Sequence, residues 1–259
     1  MRYIDLEVKG FTGVVTLNND KKHNSLNLKM LSEIESAFGV LKKEAVRSVI
    51  IKSNEGAKVW CAGLRIDELP DPSKDPVPFE YPLESTLRTI EQFPGAVIAM
   101  IEGSVWGGGC ELAFSCDILI GSPKASFAIT PAKLNAPYNP VQVQRVLSLV
   151  ETNIAKELFF TAEPISAHRA LELGILNHVI EASDLLRFTE EMAGKINRNA
   201  PQSIALIKKE IGAIGKGQLV SVENNDEIRN QIEKMYYSDD FSEGKRAFLE
   251  KRAPKFKGM

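Results

Sequence analysis

The stretch Ala96-Val-Ile-Ala-Met-Ile-Glu-Gly-Ser-Val-Trp-Gly-Gly-Gly-Cys-Glu-Leu112 reads as a buried strand over residues 96–101 that passes through Gly103 into three glycines and the first turn of a helix. Gly107, Gly108 and Gly109 remove the side chains that would keep a ligand away from the backbone. A helix N-terminus adds unpaired N–H donors and a field that favours negative charge. The run fits neither G-x-G-x-x-G nor G-x-x-x-x-G-K-[ST], which sets aside dinucleotide and P-loop readings.

A second segment of this kind, Cys61-Ala-Gly-Leu-Arg-Ile-Asp67, follows a β-branched run at residues 48–52 and a turn at Asn54-Glu-Gly56. Gly63 permits a backbone conformation that frees the next N–H to point at a ligand. Either segment alone reads equally well as a turn. Together, each behind a buried strand, they point to two N–H donors that can form an oxyanion hole, each worth roughly 3 kcal/mol of transition-state stabilisation.

Outward from these segments the first half alternates β-rich runs with helical patterns, the signature of an α/β arrangement. Residues 4–8 and 13–17 read as a hairpin. Leu28, Leu31, Ile34, Phe38 and Leu41 recur at helical spacing, and a further helix is expected over about 83–92. Residues 70–82 carry five prolines and two Asp-Pro steps, so a loop is expected there, either a passive surface loop or part of a binding site. From about Asn153 onward strand signals almost vanish. Helices are expected over 155–161, 167–173, 185–197, 201–214, 223–236 and 241–251.

The chain has 259 residues, 44% hydrophobic and 25% charged, enough for one large domain or one domain with an appendage. Its formal charge of −2 offers no basic field for a phosphate backbone, so no nucleic-acid partner is expected. The N-terminal residues lack an apolar signal region, and residues 96–101 are too short a run to cross a bilayer. A cytoplasmic protein without membrane attachment is expected. Cys61, Cys110 and Cys116 show no C-x-x-C spacing, and His23, His168 and His178 are scattered, so neither disulfides nor a metal site is expected.

Residues 61–67 and 102–112, followed by Ser115-Cys-Asp-Ile118, resemble the paired signatures of the crotonase (enoyl-CoA hydratase/isomerase) superfamily. The likeness covers essentially the whole chain, from Lys22-His-Asn-Ser-Leu26 to Phe248-Leu-Glu-Lys-Arg-Ala-Pro-Lys-Phe256. It implies an α/β crotonase-like spiral of ββα units over 1–195, holding an acyl-CoA site. It also implies a helical region over 196–259 that builds homotrimers, or dimers of trimers, and contacts CoA. By the same resemblance Ala62, Gly63, Leu64, Arg65 and Ile66 line the acyl-CoA channel. The Leu64 and Gly108 N–H groups bind the thioester oxygen, and Lys22, Phe248 and Lys251 lie near the CoA. Coenzyme A is then part of the substrate, and no separate cofactor is expected.

Hydratases of that family use two glutamates, one at the position of Glu111 and one directly after the proline that corresponds to Pro131. Here Ala132 follows Pro131, so the acid–base pair that handles water is incomplete. Glu111 reads either as an active acid or as a hydrogen-bonded structural group. A more particular resemblance is to the methylmalonyl-CoA decarboxylases, carried by residues 67–70, 103–108, Thr130-Pro131, 136–139, 175–179 and 248–252. It implies a carboxylate-facing phenol at Tyr138 and places Thr130 beside the acyl group. That pattern has histidine where this chain has Leu64, which has no side-chain donor. The implied reaction is loss of CO2 from a malonyl-type CoA thioester through an enolate, with Leu64, Ile129, Ala132, Leu134 and Ala136 as apolar surroundings for Tyr138 and Thr130. A hydratase or isomerase relying on Glu111 alone, a thioester hydrolase and a non-catalytic CoA-binding protein remain as alternatives.

Overall fold

The wholly apolar strands have a simple cause: their two faces serve two different cores. The computed structural model describes residues 1–68, 82–134, 136, 138–215 and 226–258. In chain order its strands are β1 (Ile4–Lys9), β2 (Thr12–Leu17), β3 (Ser48–Ser53), β4 (Val59–Cys61), β5 (Ala96–Ile101), β6 (Ser104–Trp106), β7 (Ile118–Gly121), β8 (Ser126–Ala128), β9 (Ile165–Ser166) and β10 (His178–Val179). The helices are α1 (Leu28–Lys43), α2 (Pro82–Glu91), α3 (Gly108–Phe114), α4 (Pro131–Leu134), α5 (Pro140–Leu147), α6 (Thr152–Thr161), α7 (Ala167–Glu172), α8 (Ala182–Asn197), α9 (Pro201–Gly215), α10 (Asp226–Tyr236) and α11 (Asp239–Leu249). The proline-rich expectation over 70–82 lies outside the described residues, apart from Pro82 at the start of α2.

A large sheet runs β1-β2-β3-β5-β7-β10 and a small one β4-β6-β8-β9. β1 and β2 form the expected antiparallel hairpin, while β2, β3, β5, β7 and β10 are parallel neighbours. In the small sheet β4, β6 and β8 are parallel and β9 is antiparallel. Successive strands thus alternate between sheets: β3 to β4, β5 to β6, β7 to β8, with a helix after each pair. This is the repeated ββα unit implied by the resemblance.

Successive side chains of a strand point to opposite faces. Val49, Ile51, Val97, Ala99 and Ile101 accordingly join the core that packs on α1, through Leu31, Ile34, Phe38 and Leu41. Ile50, Ile98, Met100 and Ile120 face the other way, onto Leu185 and Ala193 of α8. A fully buried aliphatic side chain of this kind contributes about 1.5–3 kcal/mol. α1 begins where Asn27 caps it, its side chain accepting from the Met30 N–H at 2.7 Å.

The division expected at residue 195 falls in the last turn of α8, where Ile196 still packs on the second core. Beyond it, Lys208 of α9 reaches the Asp117 carboxylate at 2.7 Å. The C-terminal tail is tied down as well: the Arg47 guanidinium donates to the Phe256 carbonyl at 2.6 Å, and Asp240 accepts from the Lys257 and Gly258 N–H groups, each at 2.7 Å. No described helix is long and apolar enough to cross a membrane.

Candidate active site

β4 and β6 lie side by side and parallel, with Val59 opposite Ser104 and Cys61 opposite Val105. The chain therefore leaves both strands at the same edge, which brings Gly63-Leu64 against Gly107-Gly108. Gly63 has φ +84° and Gly107 φ +47°, a region that side chains disfavour, and each immediately precedes one of the two expected donors. The approach is close: a Cβ on Gly63 would stand 2.5 Å from the Trp106 carbonyl oxygen and 3.0 Å from the Gly108 nitrogen.

Both donors are open. Leu64 is bridged to Leu26 through its neighbours, since Leu26 N–H donates to the Gly63 carbonyl at 2.8 Å and Arg65 N–H to the Leu26 carbonyl at 3.0 Å. Strand alternation then turns the Leu64 N–H away from Leu26. Gly108 is the first residue of α3, where no i−4 carbonyl exists to accept, and its cap Gly107 has no side chain to offer. Among the described residues neither N–H donates to any group. Thr130 follows β8, the next parallel strand, and its hydroxyl oxygen lies 3.3 Å from where a Gly107 Cβ would be.

One turn into α3, Glu111 is fully buried. Its Oε1 accepts the Tyr138 hydroxyl at 2.5 Å, and its Oε2 accepts Arg145 Nη1 at 2.5 Å. Arg145 spends its other donors on two more carboxylates, Nη2 on Glu84 at 2.9 Å and Nε on Glu91 at 2.9 Å. Burial pushes the Glu111 carboxyl above its ordinary range, against the pull of Arg145 and the Tyr138 hydrogen bond. Burial and the neighbouring Glu111 push the Tyr138 phenol far up, so it stays neutral, and the three glutamates keep Arg145 cationic. Arg145, Glu84 and Glu91 escaped the sequence reading. The available signal was a basic residue beside Val146 on the buried face of α5, whose Asn139-Pro140 start and Asn139/Gln142 capping box also mark a helix not anticipated there.

The tyrosine ring packs edge-on against Phe159 with centroids 5.1 Å apart, and it lines a cavity of about 390 Å³ with Pro131, Ala132, Ala136 and Phe159. Ile129 is a core residue, whereas Leu134 is 54% exposed, so of the expected apolar surround Leu134 faces solvent. The resemblance implies a neutral phenol at Tyr138 that faces the substrate carboxylate; here the phenol is neutral, and its one proton is donated to Glu111.

The remaining expected residues divide. Ala62, Gly63, Leu64, Arg65 and Ile66 form one segment beside Gly108, but Arg65 is spent on Asp67 and on Glu68 at 3.2 Å, and Ile66 is exposed. Lys22 is exposed on the turn next to that segment. Phe248 and Lys251 lie at the end of α11, where Phe248 lines a separate hollow of about 560 Å³ with Phe241 and Phe256. No hydrogen bond or ion pair among the described residues links either of them to the group around Gly108. Trp106 is a packing residue whose indole N–H donates to the Ser104 hydroxyl at 2.9 Å. Cys61 is buried, and burial pushes its thiol up to about 12, so it offers no thiolate.

This geometry can stabilise an oxyanion, and the comparisons say in which family. The family model for enoyl-CoA hydratase/isomerase matches residues 8–259. The chain belongs to the enoyl-CoA hydratase/isomerase (crotonase) family. It is 38% identical to methylmalonyl-CoA decarboxylase of Escherichia coli (strain K12), over 99% of this chain and 98% of that protein. It is 32% identical to a short-chain-enoyl-CoA hydratase of Clostridium acetobutylicum, over 95% of this chain and 94% of that one. Among solved structures, methylmalonyl-CoA decarboxylase in complex with 2-nitronate-propionyl-CoA superposes with a TM-score of 0.80 at 38% identity, covering 99% of each chain. Enoyl-CoA hydratase from Bacillus anthracis gives 0.84 at 31% identity, covering 99% of this chain and all of that one. The crotonase backbone is thus shared by hydratases and decarboxylase alike, and its shape alone does not choose between their reactions.

Proposed function

We propose that this crotonase-family enzyme decarboxylates a malonyl-type CoA thioester, converting methylmalonyl-CoA to propionyl-CoA and CO2. The observation that carries the reading is the state of Glu111. Both its oxygens are committed, to Tyr138 and Arg145, and Ala132 stands where a hydratase has its second glutamate. Chemistry that moves protons to and from water lacks its pair. Decarboxylation needs no such pair. The bond from C2 to the carboxylate breaks, its electron pair delocalises onto the thioester oxygen, and a proton from solvent completes the propionyl group at C2. The Leu64 and Gly108 N–H groups meet the charge where it develops, with no reorganisation at the moment of reaction.

In this reading the substrate carboxylate takes over the Tyr138 O–H, and Arg145 keeps the released Glu111 compensated. One neutral phenol holds the carboxylate weakly, so little ground-state binding is lost as CO2 departs. Tyr138→Phe is expected to lower kcat/KM about 10- to 100-fold in a CO2-release assay, because the carboxylate loses the group that orients it for cleavage. An unchanged rate would remove Tyr138 from the mechanism.

The test of the function is incubation with malonyl-, methylmalonyl-, ethylmalonyl- and crotonyl-CoA. CO2 and the shortened thioester are expected from a malonyl-type substrate. Hydration of crotonyl-CoA without CO2 release would favour the alternative, an enoyl-CoA hydratase in which Glu111 works alone. The reading calls for no cofactor beyond the CoA of the substrate and includes a cytoplasmic location. It also includes assembly as a trimer or dimer of trimers, for which the exposed Ile207, Ile211, Ile214 and Leu249 supply apolar surface.

A further inference from the structure

The Leu64 donor is held by a neighbouring strap. From residue 23 to 26 the chain runs along the segment 60–65 and pairs with it almost group by group. Ala62 N–H donates to the His23 carbonyl at 2.9 Å, the Cys61 thiol to the Asn24 carbonyl at 3.2 Å, Leu26 N–H to the Gly63 carbonyl at 2.8 Å and Arg65 N–H to the Leu26 carbonyl at 3.0 Å. The Leu64 N–H takes no part in this series. The strap thereby consumes the polar groups on one side of the segment and leaves that donor aimed at the other.

The strap turns on Asn24. It is fully buried, and it and His23 sit at φ 51° and 52°, two successive non-glycine residues in the left-handed region. Such strain persists only where the surroundings over-determine it. For Asn24 the surroundings are its own side chain: Oδ1 accepts from Asn19 N–H at 2.7 Å, and Nδ2 donates to the Trp60 carbonyl at 3.1 Å and to Asp20 at 3.4 Å. One amide therefore closes the turn and grips β4 at Trp60, four residues before the Leu64 donor. Both the donor and its partner on Gly108 have to meet a single oxygen, and a misplacement of about 1 Å at such a site costs on the order of a hundredfold.

We propose that Asn24 is a positioning residue for the Leu64 N–H, setting the geometry of the enolate hole without touching substrate. The inference rests on the role given above to that N–H. Asn24→Gly relieves the backbone strain and removes the side chain. Asn24→Asp keeps the acceptor for Asn19 but turns the donor facing Trp60 into an acceptor. The readout is the preference for an anionic nitronate analogue of the enolate over propionyl-CoA, measured by calorimetry on the full-length protein. Both variants are expected to lose about 10- to 100-fold of that preference. Ile34→Val, a core truncation in α1, is expected to keep it within about twofold, because a general loss of stability does not move the ratio. An Asn24→Gly or Asn24→Asp protein that folds and keeps the full preference overturns the proposal. So does a wild-type protein with no preference, since there is then no donor to position. A wild type that decarboxylates none of the malonyl thioesters defeats the function proposed above, yet the ratio still reports on the strap, because the hole serves any thioester enolate.

Discussion

Gly108→Ala is expected to lower kcat/KM about 10²- to 10³-fold while leaving the protein folded, the loss seen when an oxyanion donor is disabled. The reason is placement. A methyl at that position would stand 3.3 Å from the Leu64 nitrogen and 3.0 Å from the Leu64 Cγ, in the space where a thioester oxygen has to sit. The fold tolerates the change better than the chemistry does. Gly108 is not at a positive φ, so alanine meets no backbone strain there, and the Leu64 and Leu83 side chains need yield by only a few tenths of an ångström. Kinetics and a thermal melt on the same preparation separate the two effects. A Gly108→Ala enzyme at full rate would show that the oxygen binds elsewhere.

The second large effect is on stability. Arg145→Met leaves Glu84, Glu91 and Glu111 around a guanidinium-shaped space with no positive charge, and breaking a buried ion pair from one side costs about 3–5 kcal/mol. Glu111 is already pushed above its ordinary pKa by burial, so the folded protein holds its proton more tightly than the unfolded chain does. The favourable linkage from such a group is complete below the unfolded value, about 4.3, and is lost as the pH rises through the folded value. Removing Arg145 raises that folded value further. The destabilisation of Arg145→Met is therefore expected to be greater at pH 8 than at pH 5, as read from urea unfolding at both. An equal loss at the two pH values would mean that the carboxylates do not titrate with folding.

Much of the fold was legible because its signals are local. Uninterrupted apolar runs such as Ala96 to Ile101 declare strands with two covered faces, and the glycines before Leu64 and Gly108 declare positions where the backbone must take a positive φ. Even the meeting of the two donors follows once β4 and β6 are neighbours, although nothing in either segment states that pairing. What stayed hidden is long-range and depends on helix facing. Arg145, Glu84, Glu91 and Glu111 come from α5, α2 and α3, and their encounter is set by how those helices cross, not by spacing along the chain. For the same reason the Glu111 partner of Tyr138 stayed hidden: the loop position of the tyrosine is readable, but the group that its hydroxyl meets is not. Asn24 was passed over because its importance lies in bonds to Asn19, Asp20 and Trp60, one of them far away in sequence.

In the proposed mechanism two backbone N–H groups hold the charge of the enolate, and the most direct measurement of this is a crystal structure of this protein with a nitronate analogue of the propionyl-CoA enolate. The expected result is one nitronate oxygen at about 2.7–3.1 Å from both the Leu64 and the Gly108 nitrogens. A nitronate bound with its oxygens on other groups, and both amides unengaged, would contradict it.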